Sequence, residues 1–426
     1  MNNKRTLMSA MIGNALEYYD VTLYGFFALI VSPLYFPSDD PLTSRITALG
    51  AFAMGFIARP LGGLIFGHIG DKWGRKRALV ISILLATIPT FTIGVLPAYE
   101  IIGLWAPIIL IGCRLVQGLC TAGEYSGASI LIAEINQDNR RLGFACSLLP
   151  ASSLLGACCG TGIGALVTLE FMPSWAWRIP FLLSLFVGAF GFYLRHQLDE
   201  SPAFKQASSG QKLEKFPLLK VLKTEMRHFL CAIGIGSACI SFFYILMVYV
   251  ISLVEQTKNS LFAHHSMLLN MGVMAMWMLF LPLMGYLSDK IGIKRLMSIG
   301  ATLMMTGAIP LFWYLHQEPT MSRIFLVMLF LTALGSAFVG PSCAFLATYL
   351  FPTEERYTGV AFGVNLGEAI FGASTPLVVF YLMSLTNNSH TPALYLIFCS
   401  FIGLISVRLT RTKGHEMKLG LAPKLS

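Results

Sequence analysis

Long runs of apolar residues alternate with short segments rich in charge, glycine and proline along the entire chain of 426 residues. Most runs reach the roughly 20 residues that a helix needs to cross the hydrocarbon core of a membrane. The pattern predicts twelve spanning helices, at 8–34, 44–69, 78–97, 101–134, 142–170, 178–196, 227–255, 264–288, 296–315, 323–350, 358–385 and 392–410. The short connections leave no room for an added globular catalytic domain. The predicted fold class is therefore an all-α integral membrane protein.

The predicted helices fall into two halves that repeat one plan. Residues 67–77 (GHIGDKWGRKR) are echoed by 285–295 (GYLSDKIGIKR) at an offset of 218, and 140–143 (RRLG) by 356–359 (RYTG) at an offset of 216. We expect a six-helix half at 1–196, a polar linker at 197–226, a second six-helix half at 227–410 and a basic tail at 411–426. Paired halves of this kind are typical of transporters that bind their solute near the middle of the membrane.

Composition and charge agree with this pattern. Only 12% of the residues are charged, against about 25% in soluble domains, so a soluble enzyme is excluded. The net charge of +9 does not indicate nucleic-acid binding, because the basic residues lie between the apolar runs. Of the 30 Lys and Arg residues, 24 lie on the side of the termini, which predicts cytosolic termini and a multi-pass protein in the lipid bilayer of the cytoplasmic (inner) membrane.

The sequence also limits the source of energy. All nine cysteines fall in predicted spans without the spacing of metal ligands, so neither a metal nor another cofactor is expected. No Gly-x-x-x-x-Gly-Lys-Ser/Thr pattern occurs, which argues against transport driven by the chain's own ATP hydrolysis. A proton gradient is the expected energy source.

The repeated loop combines glycines with an acidic residue and a basic cluster, which suits a tight turn between closely packed helices. It resembles the signature loop of the major facilitator superfamily. The resemblance implies the twelve-helix major facilitator fold, alternating access, and a cytosolic gate that contains Gly67, Asp71, Arg75 and, in the second copy, Asp289. The second copy departs from the pattern at Ser288 and Ile293.

Six further motifs narrow the resemblance. They are GNALEYYD at 13–20 with Tyr24-Gly25, RPLGG at 59–63, RLVQG at 114–118, GEY at 123–125, WRIPF at 177–181 and LDESPAF at 198–204. Together they resemble the metabolite:proton symporters, the branch that includes proline/betaine and α-ketoglutarate permeases. Two departures concern the solute: Tyr18-Tyr19 replaces the usual Trp-Phe, and residues 242–249 lack the usual Thr-Tyr and Pro-Thr-Tyr run.

Ionisable side chains inside predicted spans are costly and are therefore candidates for function. The chain has six of them: Glu17, Asp20, Arg59, Arg114, Glu124 and Glu368. Spacings of three and four place Asn14, Glu17, Asp20 and Tyr24 on one stripe of the first helix, and Gln117, Thr121 and Glu124 on one stripe of the fourth. We expect these two helices to present carboxylates and the adjacent Arg114 to one cavity.

A carboxylate beside an arginine can alternate between an ionised, paired state and a protonated, released state. Because proton-coupled sugar porters carry a matching pair, the resemblance implies that Asp20 carries the proton and that Arg114 modulates it. Glu17 and Glu124 are alternative carriers. The competing interpretation is a static salt bridge that ties the first and fourth helices together.

Solute recognition is assigned to a second set of residues: Tyr18, Tyr24, Arg59, Gln117, Asn365 and Glu368. Arg59 could bind a solute carboxylate through its planar fork of donors, or it could instead neutralise Glu124 or Glu17. Asn365 and Glu368 would be the contribution of the second half. The tyrosines could face a quaternary ammonium, although packing in the membrane is the competing role.

The sequence thus predicts a monomeric secondary active transporter, not an enzyme, that imports a small polar organic solute together with protons. The solute would be a zwitterionic osmolyte or amino acid such as proline or betaine, or an organic carboxylate such as α-ketoglutarate or citrate. Two alternatives remain open. One is a proton antiporter that exports a metabolite or drug, and the other is a transport-inactive membrane sensor with the same fold.

Overall fold

The structure, a computed structural model, describes residues 3–38, 41–136, 140–169, 171–210, 214, 216–249, 260–317, 320–372, 374–386, 388 and 390–410. The predicted basic tail at 411–426 lies outside the described residues. Twelve helices of the described chain match the predicted spans: α1 Asn3–Tyr35, α2 Pro41–Lys72, α3 Arg75–Val95, α4 Trp105–Ile135, α5 Leu142–Val167, α6 Ile179–His196, α7 Met226–Tyr244, α8 Ser260–Ile291, α9 Ile293–Gln317, α10 Met321–Phe345, α11 Arg356–Gly367 and α12 Thr391–Leu409.

Each predicted span overlaps one of these helices, which confirms the all-α membrane fold; residues 250–255 of the seventh predicted span lie outside the described residues. Ten helical spans of the described residues, beginning with Arg75–Val95, are long and apolar enough to cross a membrane. The helices α1 and α2 are longer still, at 33 and 32 residues. The eleventh span departs from a single helix, because a π-helical turn at Glu368–Gly372 separates α11 from a second segment, Thr375–Thr386.

The most extensive contacts between the halves are two helix crossings, α2 with α11 and α5 with α8, and α5 also packs against α10. Glycines allow the close approach: a Cβ atom on Gly67 would lie 2.6 Å from the Cα atom of Thr358, and one on Gly143 would lie 2.7 Å from the carbonyl oxygen of Gly285. Both crossings involve the segments that repeat in the sequence. The repeat is therefore visible as a pair of equivalent contacts between the halves.

The connection between the halves contains two short helices, Pro202–Ser209 and Pro217–Thr224. The first packs against α4, and the second packs against the ends of α2, α7 and α11. We call the end of the bundle that holds Lys72, Leu142 and Arg356 the inner end, and the opposite one the outer end. The linker thus lies against the inner end of both halves.

Candidate functional site

A cavity of about 580 Å³ lies between the two halves. Its aromatic lining consists of Tyr18, Phe26, Phe56, Tyr125, Phe243, Tyr244 and Trp277. Within the described chain, the charged side chains of the lining are Arg59 and Glu368. The cavity extends toward the outer end, where Thr161 and Met247 belong to its wall. Its size suits a small organic solute.

Arg59 and Glu368 form an ion pair that joins the halves inside this cavity. The Arg59 Nη1 atom donates to Glu368 Oε2 at 2.9 Å, and both side chains are largely buried. The guanidinium also lies over the ring of Phe56, 4.2 Å from its centroid. Glu368 is the first residue of the π-helical turn, a feature that often occurs at functional sites. The expectation that Arg59 neutralises Glu124 or Glu17 is wrong in this structure, because Glu368 is its partner.

Three residues expected to bind solute lie outside the cavity. Tyr24 is fully buried in the packing of the first half, 4.4 Å below the guanidinium of Arg114. Gln117 accepts a hydrogen bond from Arg114 at 2.7 Å and donates to Thr90 at 2.7 Å. Asn365 donates to the carbonyl oxygens of Ala361 and Ala122, at 2.8 and 3.3 Å, and so bridges the halves. All three are held by protein groups and do not line this cavity. Tyr18 does line it.

The expected pair of Asp20 and Arg114 is replaced by a chain of hydrogen bonds. Asp20 Oδ2 accepts from the Thr90 hydroxyl at 3.2 Å, and Gln117 connects Thr90 to Arg114. The second carboxylate oxygen, Oδ1, is buried without a hydrogen-bond partner among the described residues. Two side chains therefore separate the groups that the sequence paired directly.

Glu124 pairs instead with Arg195, a residue that the sequence analysis counted only as a cytosolic charge at a helix end. Arg195 is buried, donates to Glu124, and donates to the carbonyl oxygen of Leu79 at 2.9 Å. The other oxygen of Glu124 accepts from Ser82 at 2.6 Å. Gly13 makes room for this pair, since a Cβ atom there would collide with the guanidinium of Arg195, but a glycine in the sequence does not identify the side chain that it accommodates.

Two aspartates, one from each copy of the repeated loop, hold the inner end closed. Asp71 accepts hydrogen bonds from the backbone N–H groups of Tyr357 and Thr358, at 3.1 and 2.8 Å. Asp289 accepts from those of Gly143 and Phe144, at 2.6 and 2.9 Å. Each carboxylate thus satisfies N–H groups in the first turn of a helix of the other half, α11 or α5, where the helix dipole also favours negative charge.

Arg75 adds a charged network to the first of these contacts. Its guanidinium lies 3.4 Å from Asp71, binds Glu134 at 3.1 Å and donates to the carbonyl oxygen of Thr353 in the second half. Glu134 also accepts from Arg356 at 2.8 Å, so it connects arginines of both halves. The second copy has Ile293 at the position of Arg75 and so lacks this cation. Sequence reasoning missed Glu134 and Arg356, because one ends a predicted span and the other lies in a short echo without assigned chemistry.

The start of the linker is built into the same network. Glu200 accepts from the backbone N–H groups of Arg75 and Lys76 at 3.0 and 3.2 Å, which caps α3. Ser201 donates to Glu134, and the ring of Phe204 lies 5.1 Å from the Arg75 guanidinium carbon. The motif at 198–204 therefore ties the linker to the inner end.

Glu355 precedes α11 at this inner end and is only 1% exposed. Neither of its carboxylate oxygens has a hydrogen-bond partner among the described residues. Burial raises its pKa to about 7, although the nearby charge of Lys220 acts in the opposite direction. Because the pKa in the folded protein lies above the ordinary value of 4.5, the protonated form favours the folded state, and this stability is lost as the pH rises through about 7.

We therefore expect Glu355→Gln to stabilise the protein at high pH. In detergent solution its melting temperature should exceed that of the unmodified protein by about 2 °C or more at pH 8, and by much less at pH 5. Thermal unfolding across this pH range measures the difference, with Glu354→Gln as the neighbouring control. An equal shift at both pH values would contradict the role assigned to burial of Glu355.

Comparison with known proteins agrees with this architecture. The family model of the Major Facilitator Superfamily matches residues 10–376. The glycine betaine/proline/ectoine/pipecolic acid transporter OusA of Dickeya dadantii is 35% identical, over 99% of this chain and 86% of that protein. The proline/betaine transporter of Escherichia coli K12 is 34% identical over the same shares. The proton:xylose symporter XylE, solved with 6-bromo-6-deoxy-D-glucose, superimposes with a TM-score of 0.75 at 17% identity, over 95% of this chain and 94% of that one.

Two six-helix halves around a central cavity define a membrane transporter of the alternating-access class. The chain belongs to the Major Facilitator Superfamily, because the family model covers most of its length. It is a secondary active transporter and not an enzyme.

Proposed function

We propose that the protein imports a small zwitterionic solute, of the proline or betaine type, together with protons. The observation that carries the proposal is the Arg59–Glu368 ion pair in a cavity whose wall is otherwise uncharged and mostly aromatic and apolar within the described chain. The similarity to OusA, a glycine betaine/proline/ectoine/pipecolic acid transporter, and to the proline/betaine transporter of Escherichia coli supports the same solute class.

A zwitterion matches the ion pair group by group. Its carboxylate can take the place of Glu368 at the guanidinium of Arg59, and its cation can take the place of Arg59 at Glu368. Aromatic faces at Tyr18 and Tyr244 suit a quaternary ammonium, which has no hydrogen-bond donor. A dicarboxylate would satisfy Arg59 but would leave Glu368 as a buried charge without a partner, which is costly. The cavity therefore favours the zwitterion over α-ketoglutarate or citrate.

Proton coupling is assigned to the first half. Asp20 is the proposed carrier, because its Oδ1 atom has no hydrogen-bond partner in the described chain, and Thr90 and Gln117 connect the group to Arg114. A change of charge at Asp20 would alter this chain of bonds and hence the position of Arg114. Alternating access would then involve release of the inner-end contacts at Asp71 and Asp289. The distribution of Lys and Arg supports cytosolic termini, which would make the inner end the cytosolic one.

The test is uptake into proteoliposomes under an imposed proton gradient. We expect accumulation of radiolabelled proline or betaine and little accumulation of α-ketoglutarate or citrate. Asp20→Asn should lower gradient-driven accumulation by about 10-fold or more and retain solute counterflow, since counterflow needs no net proton transfer. Unchanged accumulation in Asp20→Asn would remove this residue from the mechanism, and efflux against the solute gradient would support proton antiport instead.

A further inference from the structure

The first half contains a second acidic site that is separate from the solute cavity. Glu17 is 8% exposed, and both of its carboxylate oxygens lack a hydrogen-bond partner among the described residues. It borders a small cavity of about 20 Å³, too small for an organic solute, that Asp20, Glu124 and Arg195 also line. The hydroxyl of the neighbouring Thr121 donates to the carbonyl oxygen of Gln117.

The charges around this cavity do not balance. Three carboxyl groups, those of Glu17, Asp20 and Glu124, share the guanidinium of Arg195, and Arg195 is paired with Glu124. The other polar side chains of the wall are Cys120 of α4 and Ser82 and Thr87 of α3, and Arg59 of α2 is paired with Glu368. An ionised carboxylate without a partner in such surroundings is strongly unfavourable. Glu17 therefore holds a proton in this closed arrangement.

Arg195 is placed so that it can pair with either Glu124 or Glu17. Its guanidinium packs against Gly13, where a Cβ atom would lie 2.0 Å from Nη2, and Gly13 is one helical turn before Glu17 on the same face of α1. A movement of about one helical turn along α1 would bring the guanidinium to Glu17. Loss of the proton from Glu17 would create a negative charge that attracts the guanidinium of Arg195 away from Glu124.

We propose that Glu17 is a second proton-binding site of the transport cycle and that Arg195 is the positioning residue that transmits its charge to the inner end. The proposal rests on the proton-coupled import proposed above. When Glu17 binds a proton, Arg195 stays with Glu124 and with the carbonyl oxygen of Leu79. When Glu17 releases it to water, the carboxylate competes for Arg195.

The route from Arg195 to the inner end is short. Arg195 lies in the last turn of α6, and the chain then reaches Glu200 and Ser201 within six residues. Glu200 caps α3, and Ser201 binds Glu134 in the network that joins the halves. Displacement of Arg195 would shift the chain between Arg195 and Ser201 and so weaken the contacts of Glu200 and Ser201 at the inner end. Protonated Glu17 thus favours the closed inner end, and ionised Glu17 destabilises it.

Infrared spectroscopy of the purified protein tests the proton site without any solute. We expect a carbonyl band of a protonated carboxylic acid at pH 7, at which an exposed glutamate is ionised. One component of this band should disappear in Glu17→Gln and persist in Asp20→Asn and Arg195→Lys. A band that is unchanged in Glu17→Gln would overturn the proposal, whatever the protein transports.

Transport assays test the link to the cycle. Glu17→Gln should lose at least 10-fold of gradient-driven accumulation and retain counterflow within about twofold, with a counterflow rate that depends less steeply on pH, because Asp20 still binds and releases a proton. Glu17→Asp keeps a titratable group and should shift the pH profile without abolishing accumulation. Arg195→Gln should flatten the pH profile of transport, and Arg195→Lys, which keeps a positive charge, should retain part of the pH dependence.

Normal accumulation with a normal pH profile in Glu17→Gln would refute the role of Glu17. If the unmodified protein accumulates neither proline nor betaine, the proposed function fails, and the infrared result still decides the proton site.

Discussion

Replacing Arg59 by glutamine should lower the affinity for a betaine-like zwitterion by about 100-fold or more. The variant removes the only guanidinium in the described wall of the central cavity and leaves Glu368 without its partner, and loss of one member of a buried charge pair costs about 2–5 kcal/mol. Titration calorimetry in detergent measures the affinity. Thermal unfolding of the same samples checks that the variant is folded.

The matched variant Glu368→Gln separates a zwitterion from a simple acid. For a zwitterion the affinity should fall in both variants, because each one removes a charge that the solute uses. For an acid without a cationic group, Glu368→Gln should leave the affinity unchanged or raise it, since the competing carboxylate is gone. Unchanged betaine affinity in Arg59→Gln would show that the ion pair is not part of the solute site.

Glu134→Gln should open the inner end. Glu134 is buried and binds Arg75 and Arg356, so its neutralisation leaves two guanidinium groups of different halves close together without their shared carboxylate. Breaking a buried ion pair costs about 3–5 kcal/mol, which is comparable to the roughly 5.5 kcal/mol that reverses a 1:99 equilibrium between two states. The closed state should therefore lose most of its free-energy advantage over the state with an open inner end.

Hydrogen–deuterium exchange measures this opening at the backbone. The N–H groups of Tyr357 and Thr358 are bonded to Asp71 in the closed state, so peptides that cover 353–360 should exchange faster in Glu134→Gln. Peptides that cover Gly143 and Phe144 should follow, because both contacts open together. Glu100→Gln, an exposed carboxylate near the outer end, is the control. Exchange at the control rate in Glu134→Gln would contradict the assigned role of this network.

The sequence was sufficient for the fold because the fold depends on local and repeated features. Apolar runs of membrane length determine the spans, and the echo at 67–77 and 285–295 places Asp71 and Asp289 at equivalent positions of the two halves. The partners of these aspartates could not be foreseen, since they are backbone N–H groups that every residue except proline provides.

The central site was predicted less well, because helical spacing identifies a face but not the cavity that it meets. On α1, positions 17, 20 and 24 face the interior of the first half, whereas the adjacent row that begins at Tyr18 and continues through Thr22 and Gly25 faces the solute cavity. The sequence also did not reveal which charged residues form ion pairs with one another. Arg59 and Glu368 are separated by 309 positions, and only the relative placement of α2 and α11 brings them together.

The two aspartates of the inner end have a consequence for how the chain can change over evolutionary time. Their acceptor atoms meet main-chain donors, so the side chains at 144, 357 and 358 are not required for these bonds, whereas Gly143 must stay a glycine for the close approach of α5 and α8. Diverged relatives can therefore exchange those side chains and retain the closure, which an ion pair would not permit without a compensating change. Proline is the exception, since it removes the donor itself. The closure therefore tolerates side-chain changes at the residues that donate these bonds and is vulnerable at the two aspartates that accept them.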